Sequence, residues 1–289
     1  MPPGPPPAGA RGRAELAPQP DEDLCLLSGD WRIFQKQRGH RWSLDDLVTA
    51  WVAAEAIEAI APAGRPLRAL DLGCGLGSVL MMTAWRFPSA QVCGVEAQAD
   101  RAAMARRSLA YNGAEDRCRV FDGDLRHLRQ LREPEHDAPE LAGPFDLITG
   151  TPPYFPRGAG TESTTPQVAP CRFELRGGVE EYLAAAAPLL ADHGRLVVCT
   201  AALERDRVLA AAETSGLDAL AHWDIVPREG KAVLVMVDVL ARRGAAEAQQ
   251  QQQPAMHTLL VRDRANTWTA DFRAVRAAMG MPATTPAGG

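Results

Sequence analysis

The stretch RALDLGCGLGSV, residues 68–79, decides the fold. Its first five residues, Arg68-Ala69-Leu70-Asp71-Leu72, read as a strand, and Gly77 to Phe87 has the pattern of a helix. Gly73, Gly75 and Gly77 lie between them, with Cys74 inside the loop. Glycines at that spacing let a backbone turn tightly and approach a ligand. A strand that runs through a glycine-rich turn into a helix is the opening unit of a doubly wound α/β sheet.

The same alternation continues outward. Strands are expected at 91–97, 118–121, 145–149 and 194–199, and helices at 100–111, 179–190 and roughly 203–214. The segment 133–143 reads as a polar, Pro-rich loop. Two further strands, 217–227 and 231–240, are joined by the turn Pro227-Arg228-Glu229-Gly230, and only an antiparallel pair can be joined so tightly. Upstream, a capped amphipathic helix starts at Ser43 or Asp45. The expected architecture is therefore α/β and Rossmann-like. It has a seven-stranded, mostly parallel sheet that ends in an antiparallel hairpin, the pattern of class I methyltransferases.

Composition bounds the rest. The chain has 289 residues, 46% of them hydrophobic, enough for a sizeable core. A net charge of −5 means that nucleic acid would have to meet a local basic patch. The six cysteines form no CxxC pair and no Cys/His cluster with zinc spacing, so no metal is expected and the thiols read as reduced. No apolar run reaches membrane-spanning length, and the first residues hold no apolar h-region. A cytoplasmic, monomeric protein is expected, with organelle import a minor alternative.

Acids stand at successive strand ends. The glycine loop departs from the dinucleotide pattern G-x-G-x-x-G, since its third glycine arrives one residue early and position 78 is Ser. Asp71 opens the loop, and an acid there suits a cationic amino group better than a diphosphate. That favours S-adenosylmethionine over a nicotinamide dinucleotide. Glu96 ends the second strand, 19 residues after Gly77, where a carboxylate can bind ribose hydroxyls. Asp124 and Leu125 follow the third strand, where Asp124 can meet an adenine amine or merely cap a helix.

GTPPYFP, residues 150–156, follows the strand at 145–149. Pro152 has no N–H, so the turn readily presents carbonyls, and Pro153 stiffens it further. Tyr154 offers a flat face on which a base can stack. An exocyclic base amine is a poor nucleophile because its lone pair is delocalised into the ring. Acceptors that hold its hydrogens help to localise that pair. Thr151 offers a hydroxyl where an Asn carbonyl would serve the same end.

These motifs resemble the Pro-Pro-aromatic loop of amino methyltransferases that act on adenine N6, cytosine N4, guanine N2 and protein glutamine. Over residues 24–280 the chain more closely resembles the bacterial tRNA (adenine-N6) methyltransferases that modify a valine tRNA, within the methyltransferase small-domain group. The resemblance rests on WRIFQKQRGHRWSLDDLVTAW (31–51), on PPYF followed by Arg172 and Glu174, and on TLLVRDRANTWTADF (258–272). TPPY replaces the family's NPPY. The resemblance implies a cofactor role for Asp45, catalytic roles for Thr151, Pro152, Pro153 and Tyr154, and S-adenosylmethionine as methyl donor. It implies N-methylation of a base amine in structured RNA, with tRNA as partner.

The segment 31–42 also interleaves Trp31, Phe34 and Trp42 with cations that include Arg38 and Arg41, as a single-stranded RNA platform would. Buried aromatics with a solvated cationic edge would read equally well. Arg157 and Arg172 flank the Pro-Pro turn and can meet phosphates. The chain is divided into a disordered Pro-rich tail (1–23), a methyltransferase domain (24–242, with a capping segment at 24–62), a low-complexity loop (243–254), a terminal strand and helix packed on the same domain (255–280) and a second tail (281–289). Other readings are a protein glutamine-amide methyltransferase, a catalytically weakened RNA-binding paralogue and, more distantly, a nicotinamide oxidoreductase.

Overall fold

Successive strand residues feed two separate apolar cores, and this sets the layers. Ala69, Leu147 and Val197 point into one core, and their neighbours Leu70, Ile148 and Val198 point into the other. The computed structural model describes residues 7–39, 41–58, 60, 65–133, 138–154, 177–245 and 253–284. In chain order the elements are β1 (Glu22–Leu26), β2 (Arg32–Lys36), α1 (Leu44–Glu58), β3 (Arg68–Leu72), α2 (Ser78–Arg86), β4 (Gln91–Glu96), α3 (Ala99–Tyr111) and β5 (Cys118–Asp122). They continue with α4 (Leu128–Leu131), β6 (Phe145–Gly150), α5 (Val179–Ala186), β7 (Leu190–Ala201), α6 (Arg205–Thr214), β8 (Leu217–Val226), β9 (Val235–Arg242), β10 (Ala255–Leu260) and α7 (Ala270–Ala278).

Among the described residues the main sheet has eight strands, in the order β10-β8-β9-β7-β6-β3-β4-β5, and β9 alone runs antiparallel. α1, α2, α3 and α7 cover one face, and α4, α5 and α6 the other. Burial on both faces explains why the central strands read as continuous apolar runs. β3, β4 and β5 spread to one side of β3, whereas β6 and β7 lie on the other. The strand order therefore reverses between β3 and β6, and the crevice at their carboxyl ends is where such sheets hold ligands.

The Rossmann-like plan, the parallel order and the antiparallel β8–β9 pair agree with expectation. The strand count does not: eight replace seven. β10 lies parallel to β8, from Ala255 opposite Ala221 to Leu260 opposite Val226. It is an edge strand in which only Leu259 is buried, so its pattern does not reveal that it joins the sheet. The helix expected over 179–190 stops at Ala186, because Pro188 removes a helical N–H, and β7 begins at Leu190. The last hairpin turn is also longer than expected, since β9 starts only at Val235.

Residues 7–23, expected within a disordered tail, pack along α3. Gly9 N–H donates to Tyr111 O (2.8 Å). Arg107 donates to the carbonyls of Glu15 (2.8 Å) and Ala17 (2.9 Å), and Leu16 is buried. A cationic side chain that gathers loose carbonyls leaves no hydrophobic pattern in a Pro-rich sequence.

Candidate active site

Four strand ends and the start of one helix meet over a cleft of about 640 Å³, within the usual range for small-molecule sites. β3 contributes Asp71 and the glycine turn. Asp71 lies opposite Thr149 of β6, whose hydroxyl donates to Asp71 Oδ1 (2.7 Å). Burial pushes the Asp71 carboxyl up to about 7; the Thr149 hydroxyl opposes the shift and the nearby Asp46 charge adds to it.

The turn itself has no room for side chains. Gly73 sits at φ +61°, and a Cβ there would lie 2.1 Å from the Tyr182 hydroxyl. Gly75 sits at φ +55°, and a Cβ there would lie 2.7 Å from Arg101 Nη2. Gly77 precedes α2 directly, and Cys74 is buried behind the turn, where burial raises its thiol pKa well above the ordinary value.

Glu96, at the end of β4, accepts from Gly75 N–H (2.9 Å) and Gln98 N–H (2.7 Å). Its carboxylate therefore braces the glycine turn as well as facing the cleft. Asp124 follows β5 and caps the short turn Leu125–His127. Its Oδ1 accepts from Arg126 N (3.0 Å) and Nε (2.9 Å), and its Oδ2 from Arg126 Nη2 (2.6 Å). The capping alternative is thus the one observed, although Asp124 and Leu125 still line the cleft.

α1 brings its amino end to the same place. Asp46 Oδ2 accepts from Ser43 N–H (2.8 Å), which caps the helix, and Asp46 Oδ1 accepts from Ser78 Oγ (2.8 Å) at the start of α2. Burial pushes Asp46 up, and the adjacent Asp45 charge pushes it further. Asp45 accepts from the Ser43 hydroxyl on Oδ1, and on Oδ2 from the Tyr154 hydroxyl (2.6 Å).

Thr151, Pro152, Pro153 and Tyr154 all line the cleft. Thr151 makes no hydrogen bond among the described residues. Tyr154, read from the sequence as a flat stacking face, is a half-buried ring. It packs against the core, with its hydroxyl on Asp45 and 3.6 Å from Cys199 Sγ. Burial, with Cys199 and Asp45 adding to it, holds the phenol neutral, so it serves as a fixed donor and wall.

The basic segment folds differently from an RNA platform. Trp31 and Phe34 are fully buried and Trp42 is half-buried against the core. Arg41 lines the cleft but is committed to Asp23 Oδ2 (2.7 Å), Lys36 O (3.1 Å) and Cys25 Sγ (3.4 Å). Arg38 is exposed and makes no ion pair among the described residues. Arg157 and Arg172, with Glu174, lie outside the described residues.

Sequence reasoning missed four residues here: Asp46, Ser78, Arg101 and Tyr182. Val179, Tyr182, Leu183 and Ala186 form the buried stripe of α5, so Tyr182 reads as core until the fold sets its ring against Gly73 and Gly150. Arg101 of α3 is buried beneath the glycine turn, and its charge lowers the Asp46 pKa. Asp45, Asp46, Glu96 and Asp124 line the cleft against two cations, Arg41 and Arg101, and Asp71 lies buried behind it; with Asp46 raised to about 7 the lining still leans acidic, which suits a cationic ligand. Among the described residues no group of His, Cys, Asp and Glu has metal-binding geometry, and no helix is long and apolar enough to cross a membrane.

Residues 69–150 match the family model described as a methyltransferase domain. The chain is 31% identical to the tRNA1(Val) (adenine(37)-N6)-methyltransferase of Porphyromonas gingivalis, over 56% of this chain and 57% of that protein. It is 29% identical to the enzyme of the same name from Aeromonas hydrophila, over 59% of this chain and 67% of that one. A release factor glutamine methyltransferase from Chlorobaculum tepidum is 32% identical over 54% of this chain and 56% of its own length. The chain thus spans a little over half the length of the first of these relatives. Among solved structures, one described as a predicted O-methyltransferase from Agrobacterium tumefaciens matches with a TM-score of 0.56 and 20% identity, covering 83% of this chain and 98% of that one. The fold is that of the Rossmann-like methyltransferases.

Proposed function

We propose that this chain is an S-adenosylmethionine-dependent N-methyltransferase acting on an exocyclic base amine of structured RNA, with adenine N6 of a tRNA as the leading substrate. One observation carries the reading: the glycine turn, the strand-end carboxylates and the Thr-Pro-Pro-Tyr turn line one cleft at the strand-order reversal. The similarity to tRNA adenine-N6 methyltransferases supports the choice of substrate.

The donor fits the residues present. S-adenosylmethionine supplies an electrophilic methyl group on a cationic sulfonium, and its amino acid end carries an ammonium. Asp45 and Glu96 line the cleft, and Asp46 and the buried Asp71, both raised to about 7, gain charge when a cation draws near, so together they would supply the negative field that such a ligand needs. Glu96 would take the ribose hydroxyls with the lone pairs its two backbone donors leave free. Leu125 would cover one side of the adenine.

On the acceptor side, the Thr151 hydroxyl and the Pro152 carbonyl would accept the hydrogens of the amine, holding it with its lone pair toward the methyl. Tyr154, anchored through Asp45, presents a wall whose position does not vary. A target base must leave its stack to enter the cleft. The methylated ammonium then loses its proton to water, so no general base is required.

The glutamine methyltransferase relative favours a second reading, because a protein amide nitrogen poses the same lone-pair problem. The test is transfer of radiolabelled methyl to total tRNA, total ribosomal RNA or extract protein, followed by hydrolysis of the labelled pool. Label in N6-methyladenosine from tRNA is the expected result. Label in methylglutamine would establish the second reading instead. Donor binding by calorimetry with no label in any pool would overturn both.

A further inference from the structure

A three-ring stack stands on the surface away from the cleft and has no part in the site described above. Trp51 of α1 meets Trp223 of β8 edge-on, with centroids 4.8 Å apart. Trp223 stacks on His257 of β10 at 4.3 Å with an interplanar angle of 18°. His257 is exposed, and its imidazole makes no other ring contact, hydrogen bond or ion pair among the described residues. Large flat side chains usually end in the core. Here the stack rises from it, with Trp51 and Trp223 half-buried and an imidazole as its outermost layer.

Strand register ties the stack to the catalytic turn. His257 lies opposite Trp223, Trp223 opposite Val237, and Val237 opposite Cys199. Cys199 is the residue whose sulfur touches the Tyr154 hydroxyl. At about 4.8 Å per strand, Trp223 is two spacings and His257 three from Cys199, which is roughly 10–15 Å along one row of the sheet. β8 and β10 run parallel to β6, so the loops after them emerge at the same end as the Thr-Pro-Pro-Tyr turn. Those loops carry cations. Arg228 and Lys231 are exposed, and Arg228 donates to Arg264 O (3.2 Å), which joins the two loops. A flat exposed ring, with exposed cations five residues further along the strand direction and so about 16 Å away, is the chemistry that takes an unpaired nucleobase and phosphates further along its strand.

We propose that the His257 ring, backed by Trp223 and Trp51, stacks an unpaired nucleobase of the RNA flanking the methylated nucleotide, while Arg228 and Lys231 meet phosphates further along the same strand. This deepens the RNA reading above and rests on it. The row of the sheet acts as a ruler: one base enters the cleft and another is held three strands away. A protein partner is the competing occupant of the same rings.

His257→Ala tests the stack without opening the core, because the side chain is exposed. The probe is total tRNA bound to the full chain, followed by fluorescence anisotropy, with donor affinity by calorimetry and the thermal midpoint measured in parallel. His257→Ala should weaken tRNA binding about fivefold or more, with donor affinity and midpoint unchanged, and His257→Phe should restore it. Ultraviolet crosslinking of the wild-type complex should place tRNA on the peptide that holds 255–260 or on the one that holds Trp223. Equal tRNA affinity for wild type and His257→Ala, or crosslinks confined to other surfaces, would overturn this inference while leaving the RNA reading intact. A wild-type chain that binds no tRNA would overturn the RNA reading itself. Loss of binding to a purified protein substrate with tRNA binding unchanged would assign the rings to a protein partner.

Discussion

Gly73→Ala is the sharpest test of how the cleft is built. Gly73 sits at φ +61°, and an added Cβ would lie 2.1 Å from the Tyr182 hydroxyl and 3.1 Å from the ring carbon that bears it. Gly150 crowds the same edge of the ring, where an added Cβ would come within 2.7 Å of Cδ1, so the ring is fitted against two glycines at once. The left-handed conformation costs an L-residue about 1–2 kcal/mol and overpacking about 1–3 kcal/mol more. Gly73→Ala should therefore lose about 2–5 kcal/mol, a fall of roughly 5–15 °C in thermal midpoint for a domain of this size. Tyr182→Phe alone should cost about 1 kcal/mol or less. The double variant should recover about 1–2 kcal/mol of the loss, since the hydroxyl is gone but the conformational cost remains. Thermal and urea unfolding of the four proteins give the cycle, and calorimetry with the methyl donor follows the site. A Gly73→Ala protein as stable as wild type, or two substitutions that simply add, would refute the claim that Tyr182 is wedged against the glycine turn.

Other outcomes follow from the same geometry. Tyr154→Ala should abolish methyl transfer and leave donor binding within a fewfold of wild type, and Tyr154→Phe should keep the wall but lose roughly tenfold in rate as Asp45 loses its partner; normal RNA methylation by Tyr154→Ala would exclude the proposed role of the turn. Asp71 is raised to about 7, so its burial makes stability fall as pH rises from about 4 to about 7, while affinity for the cationic donor should rise over about pH 6–8 as the group ionises. Asp71→Asn should reduce that rise and leave the part due to Asp46, also raised to about 7, and calorimetry across the range checks it. Asp146 behaves oppositely. Burial acts to raise its pKa, but Arg65 (2.6 and 2.8 Å), the Arg68 N–H and His193 outweigh burial and hold it below the ordinary value, so its contribution is present above about pH 4 and lost on acidification. Asp146→Asn should cost about 1–3 kcal/mol at neutral pH and weaken the acid limb of the unfolding profile. Thr151→Asn supplies a planar carbonyl in place of a hydroxyl; transfer assays should show activity kept within about tenfold, whereas a large gain would mark Thr151 as the lesion of a weakened enzyme.

The amino-acid sequence by itself determined the α/β plan, the order of β3 to β9 and the turns at their carboxyl ends. Each of these is a local property. Apolar runs of strand length, glycines that turn a strand into a helix and prolines that stiffen a turn leave their mark within a few residues. Asp71, Glu96 and the Thr-Pro-Pro-Tyr turn were legible for the same reason, because each closes a strand. Only the tertiary structure decided what these residues do to one another. Thr149 holds Asp71 across adjacent strands, Tyr154 reaches Asp45 across 109 positions, and Glu96 braces Gly75. The roles of Trp31, Phe34 and Arg41 were likewise open until the β1–β2 hairpin formed and buried or paired them. Tyr182 and Arg101 carry local patterns indistinguishable from core and helix surface, and β10 shows too little apolar alternation to reveal its sheet. Hydrogen bonds and close contacts between distant segments depend on where the backbone brings them, and periodicity along the chain does not encode that distance.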